Sequence, residues 1–137
     1  MARTVEEKRK YDREYRKMHR KKESERMKLW RESNKDKITD WLKQYRQTPI
    51  GRAVYLCNNY RRLDKKYNRG ECTVTAQWIV DNIFTKPCIY CGESDWKKLG
   101  CDRIDNDLPH TPDNVVCCCE ECNKKKGKKT YEEFKNI

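Results

Sequence analysis

Two Cys-x-x-Cys pairs, "CIYC" at 88–91 and "CEEC" at 119–122, limit what this chain can become more than anything else in it. Four thiolates arranged tetrahedrally suit zinc, and a gap of two residues lets each turn offer both sulfurs to one ion. The 27 residues between Cys91 and Cys119 exceed what a compact knuckle needs, so a folded insert is expected between the pairs. Four thiolates leave no open coordination position for water, which makes the expected metal structural. Cys117 and Cys118 crowd the second pair, but only Cys119 stands two residues from Cys122. Alternate residues of a strand face opposite sides, so Cys118 is expected to point away from Cys119. Cys88, Cys91, Cys119 and Cys122 are therefore assigned to zinc, and Cys101, Cys117 and Cys118 to packing. Cys57 and Cys72 lack partners at ligand spacing and read as buried thiols.

A staple of this kind is needed. The 137 residues are 35% hydrophobic and 40% charged, which leaves little material for a core. Nine cysteines is an odd number, and "MARTVEEKRKYDREYRKMHRKK" contains no apolar run that could act as a signal peptide. A reducing, cytoplasmic setting is expected, where clustered cysteines bind metal more often than they pair. No segment is apolar enough to cross a bilayer, and residues 1–48 lack the apolar stripe of an interfacial helix, so no membrane partner is expected. The net charge of +11 calls for a polyanion, and nucleic acid is the partner it favours.

Charge also divides the chain. Residues 1–48 hold 17 Lys and Arg against 9 Asp and Glu, a net +8, while residues 49–137 hold 16 against 13, a net +3. The first part has neither Pro nor Gly and reads as a basic helical arm, with Ile38, Trp41, Leu42 and Tyr45 spaced to dock. Thr48-Pro49 is a helix start, and Ala53, Leu56, Cys57, Tyr60, Leu63 and Tyr67 fall on one face as far as "NRG" at 68–70. Thr75 caps a second core helix running to about Phe84, with Ile79, Val80 and Ile83 inward. The insert reads as a strand over 100–104, a loop, a returning strand from Val115 and a helix containing Asn123. "TYEE" at 130–133 is a capping box that returns Phe134 to the core. The fold class is thus α+β and mainly helical: a basic arm over 1–48, then a zinc-stabilised β-β-α unit with preceding core helices over 49–137.

At "CIYCG", "CDRID", "TPDNVV" and "CEECNKKKG", in that order, the sequence resembles the HNH or ββα-metal endonuclease superfamily, over roughly residues 86–134. The resemblance implies cleavage of phosphodiester bonds in double-stranded DNA, as in phage, mobile-element and restriction enzymes, and it leaves a homodimer open. Carried over by position, it makes Asp102 and Asn123 ligands of one magnesium or manganese ion and Asn114 the brace of the loop. Oxygen donors suit those ions.

Arg103 departs from the pattern, because most members of the superfamily have the water-activating histidine there. A guanidinium stays protonated and cannot serve as base near neutral pH, but it grips phosphate well. The sequence is similar to a branch in which a knuckle tyrosine accompanies Asp-Arg, which makes Tyr90 a nucleophile or water-positioner, against the plainer reading of an aromatic packed over the turn. His110 reads as the other candidate base, a loop histidine able to approach the phosphate, against the plainer reading of a surface residue. The five lysines of "NKKKGKK" read as backbone contacts to nucleic acid. Two further readings stand beside the nuclease: a nonenzymatic zinc-dependent nucleic-acid-binding protein, and an RNA-associated factor.

Overall fold

The computed structural model describes residues 3–136. They form two compact units that divide between Leu42 and Lys43. The first carries α1 (Val5–Ser33), which opens on a capping box: Thr4 accepts from the Glu7 N–H while the Glu7 carboxylate accepts from the Thr4 N–H. No residue of α1 is buried. Asn34 ends it, and α2 (Lys35–Tyr45) follows without a buried residue of its own. Of the 38–45 cluster, Ile38, Leu42 and Tyr45 are half-buried and Trp41 stays 59% exposed.

From Lys43 onward the chain builds a core. Thr48 accepts from the Gly51 N–H, and Pro49 occupies the first turn of α3 (Pro49–Lys66). Gly51 is required there, because a β-carbon would lie 1.9 Å from the Tyr45 carbonyl oxygen. Ala53, Cys57, Tyr60 and Asp64 recur at helical spacing and are buried. Tyr67, expected inward, caps the helix instead and is 55% exposed. α3 packs on α4 (Ala76–Asn82), capped by Thr75, whose Ile79 is fully buried with Ile83 just beyond.

β1 (Leu99–Arg103) and β2 (Val115–Cys119) form an antiparallel pair in which Leu99 faces Cys119, Cys101 faces Cys117 and Asp102 faces Val116. On the outer side of β1 the Cys101 N–H donates to the Tyr60 hydroxyl at 2.8 Å, which ties α3 to the hairpin. The β2 strand runs directly into α5 (Glu120–Lys126), which packs back on both strands, and α6 (Tyr131–Lys135) closes the chain on a second capping box. The architecture is mainly helical with one small sheet. Cys57, Cys72, Cys101, Cys117 and Cys118 all lie in the core, as packing thiols should.

Candidate functional site

The ligand sulfurs of Cys88, Cys91, Cys119 and Cys122 lie within 4.8 Å of one another, a group that can hold a zinc ion. Local structure aims them. Cys88 and Cys91 sit in a turn in which the Gly92 N–H donates to the Cys88 carbonyl, and Gly92 takes φ +80°, where a side chain would strain. Cys119 is the N-cap of α5, and its Sγ accepts from the Cys122 N–H at 3.4 Å. Burial opposes ionisation of Cys88, yet the N–H groups of Cys119, Cys91 and Tyr90 outweigh it and bring that thiol down to about 7. Burial pushes Cys119 and Cys122 upward, and Cys91 and Cys88 add to the shift of each. Closing the group on an ion therefore releases protons from thiols that would otherwise keep them.

Next to this group Asp102 is buried, with two partners on its carboxylate. Tyr90, from the knuckle turn, donates to Oδ2 at 2.8 Å, and the Lys126 ammonium donates to Oδ1 at 2.9 Å. Lys126 also donates to the Arg103 carbonyl at 3.0 Å and to Asn106 Oδ1 at 3.3 Å, so three oxygens surround a side chain that is 1% exposed. The lysine expected to meet phosphate thus turns inward, while its neighbours Lys124, Lys125, Lys128 and Lys129 stay on the surface. Sequence reasoning missed it, although a signal was present: Lys126 stands four residues after the buried Cys122 and so shares its helix face.

Tyr90 packs edge-on against Phe134 at 4.8 Å and beside Tyr131. Burial, the hydrogen bond to Asp102 and the charge of that carboxylate together raise its hydroxyl above the ordinary phenol range. As placed, Tyr90 orients Asp102 and holds its own proton. Arg103 leaves the strand on the side opposite Asp102, and its Nη1 donates to the carbonyls of Asn106 and Leu108. Asn114 is 8% exposed and accepts from the Asp105 N–H at 2.9 Å. It also donates to the carbonyls of Asp105 and Pro109, tying down both ends of that loop. Asn123 is exposed and opens on a cleft lined by Arg52, Tyr55, Asn59 and Gly100. Among the described residues no hydrogen bond links Asn123 to Asp102.

Magnesium or manganese suits the Asp102 carboxylate by donor type. Each oxygen already accepts from one partner, Lys126 on Oδ1 and Tyr90 on Oδ2, so such a cation would share Asp102 or compete with them for it.

His110 is a correction to its sequence reading. It is 5% exposed, and both its backbone N–H and its Nδ1 meet the Asp64 carboxylate, at 2.8 and 2.9 Å. Tyr60 stacks on the imidazole at 4.1 Å, and Arg69 approaches Asp64 at 3.7 Å.

No family model and no curated protein matches the chain. Among the described residues no helix is long and apolar enough to cross a membrane.

Proposed function

We propose that this protein is a DNA endonuclease that hydrolyses phosphodiester bonds at an HNH-like β-β-α unit, with zinc in the four-cysteine group and magnesium or manganese as the working cation. The observation that carries the reading is the buried Asp102 carboxylate at the end of the cysteine-tied hairpin, wired to Tyr90 from the knuckle and Lys126 from α5. Three separate segments, the knuckle turn, β1 and α5, meet at this one carboxylate beside a surface rich in lysine.

In this reading the residues of the chain have distinct tasks. The exposed lysines of α5 and the loop after it, with Arg103, hold the phosphate backbone. Asn114 keeps the 105–109 loop in register so that Arg103 stays aimed. Lys126 and Tyr90 fix the orientation of Asp102, and Asn123 offers an amide oxygen from the same helix as Lys126. When bound, magnesium or manganese supplies a Lewis acid that polarises the phosphate and stabilises the leaving oxygen.

Supercoiled plasmid incubated with the protein and magnesium or manganese should relax or linearise, and Asp102→Ala should lose at least a hundredfold in rate while still shifting DNA on a gel. Intact plasmid across varied sequences and both metals would falsify the enzyme and leave a zinc-dependent nucleic-acid-binding module. That second reading has its own support, because the Lys126 ammonium neutralises Asp102 and removes the repulsion that a bare carboxylate would offer to DNA.

Double-stranded DNA is the partner that the arm fits. In α1, Lys17, Arg20 and Lys21 recur at helical spacing on a fully exposed helix. Each phosphate neutralised contributes about 0.9 to the slope of log affinity against log salt. Replacing these three with Gln should therefore flatten the slope by about 2 to 3, read by fluorescence anisotropy on a short duplex. An unchanged slope would remove the arm from the interface.

A further inference from the structure

We infer that the aromatic face of α1 pairs with the same face of a second copy of this chain, the two helices running antiparallel. The inference rests on α1 alone and stands apart from the endonuclease reading.

Tyr11, Tyr15, Met18, Lys22, Glu25 and Leu29 follow one another at alternating steps of four and three, the spacing that keeps side chains on one seam of a paired helix. The rings lie along that line: Tyr11 stacks beside Tyr15 at 6.1 Å, and Tyr15 meets His19 at 4.0 Å. The Arg3 guanidinium lies over the Tyr11 ring, yet about half of Tyr11 and Tyr15 and more of Met18 and Leu29 stay exposed. A helix in water gains most of its stability by burying one face. Within a single copy α1 buries no residue.

Charge selects the occupant. Asp12 and Glu14 border the seam in its first half, and Arg26 and Lys28 border it in its second, so the face complements itself when one copy is reversed. About a two-fold axis at the level of Arg20, Asp12 stands across from Arg26 of the second copy on one side and Glu14 across from Lys28 on the other, each pair made twice. In the seam Tyr11 meets Leu29, Met18 lies along the Lys22 stem, and Tyr15 stands opposite Glu25, hydroxyl to carboxylate. Arg26 already holds Glu23 of its own helix at 2.6 Å, but that pair is exposed and costs little to exchange. At the axis Lys21 faces Lys21, one like-charged contact against four opposite ones.

A parallel pair has the reverse balance, because Lys22 meets Lys22, Glu25 meets Glu25 and Lys21 faces Arg26. Nucleic acid suits the other side of the helix, where Arg9, Arg13, Arg16 and Arg20 align. Glu7, Glu14 and Glu25 run along the seam and repel phosphate. Pairing therefore leaves those arginines free.

The test is sedimentation equilibrium of the full-length protein over a concentration series, with helical circular dichroism on the same samples. Wild type should move from 16.7 kDa toward twice that mass as concentration rises, its helical signal should rise in step, and added salt should weaken the association. Asp12→Lys with Glu14→Lys, and separately Arg26→Glu with Lys28→Glu, should each dimerise about tenfold or more weakly, since four attractive contacts become repulsive. Mixing the two double variants should restore the dimer, because each reversed half then faces a reversed half; a misfolded variant could not be rescued in this way. Arg9→Gln with Arg13→Gln, on the opposite face, should dimerise like wild type. Wild type that stays at 16.7 kDa up to millimolar concentration overturns the second copy, and a loss of duplex affinity in Tyr15→Ala would then give the face to nucleic acid. Dimers indifferent to the charge reversals, or a mixture no tighter than its components, overturn the antiparallel pairing.

Discussion

Removing metal from the four-cysteine group should unfold the unit from Lys43 onward. Structural zinc contributes about 10–16 kcal/mol of apparent binding energy to small domains, against a net stability of about 5–15 kcal/mol for a whole domain. Binding of that strength is comparable to the whole net stability of such a unit. The knuckle turn and the N-terminus of α5 meet through these sulfurs, and the hairpin is strung between them. Without the ion, burial leaves Cys119 and Cys122 as thiols packed against one another. Elemental analysis should find one zinc per chain, and a strong chelator should abolish the near-UV circular dichroism of the core aromatics. Cys122→Ser should reproduce the loss, whereas Cys118→Ala, which alters a buried thiol outside the group, should retain the zinc and cost only about 1 kcal/mol. Protein as purified that melts at the same temperature with and without chelator would dismiss the metal.

What could be read in advance divides along a physical line. Caps and spacings are local, so Thr48-Pro49, Thr75, the capping box at Thr130 and the two cysteine pairs declare themselves within a few residues. Their elements stand at or within a few residues of the expected positions. The buried polar pairs are of another kind. Asp64 continues the buried stripe of α3 after Ala53, Cys57 and Tyr60, and a carboxylate there demands a partner. That partner, His110, lies 46 residues away, and no local pattern names it. A run such as "NKKKGKK" likewise hides its one inward lysine, because composition treats all five alike. Only the helix face, once anchored by Cys122, singles out Lys126. Tyr90 is legible as a residue of interest, but its role depends on where Asp102 sits, 12 positions further on and on a different element.

Lys126→Met should be the most damaging single substitution outside the four cysteines. It removes the ammonium and leaves Asp102, a carboxylate only 4% exposed, with the Tyr90 hydroxyl as its remaining partner. Breaking one side of a buried ion pair costs about 3–5 kcal/mol, most of it the penalty of the charge left behind. For a unit of this size each kcal/mol moves the melting temperature by about 4–8 °C, so a fall of about 12–40 °C is expected. Lys124→Met, at an exposed pair with Glu120, should stay within about 0.5 kcal/mol of wild type. The double substitution Asp102→Leu with Lys126→Met should recover most of the loss, since a matched apolar pair replaces two buried charges without stranding either. A cycle in which the two single losses simply add would mean that the ammonium and the carboxylate do not depend on each other. The same variant also reports on the cation proposed for this carboxylate. With its oxygen freed, Asp102 can take magnesium or manganese, and a ligand that binds only the folded state raises the melting temperature. Divalent cation should therefore stabilise Lys126→Met more than wild type, in which the ammonium competes for the same oxygen. Equal shifts in the two proteins would place the cation elsewhere.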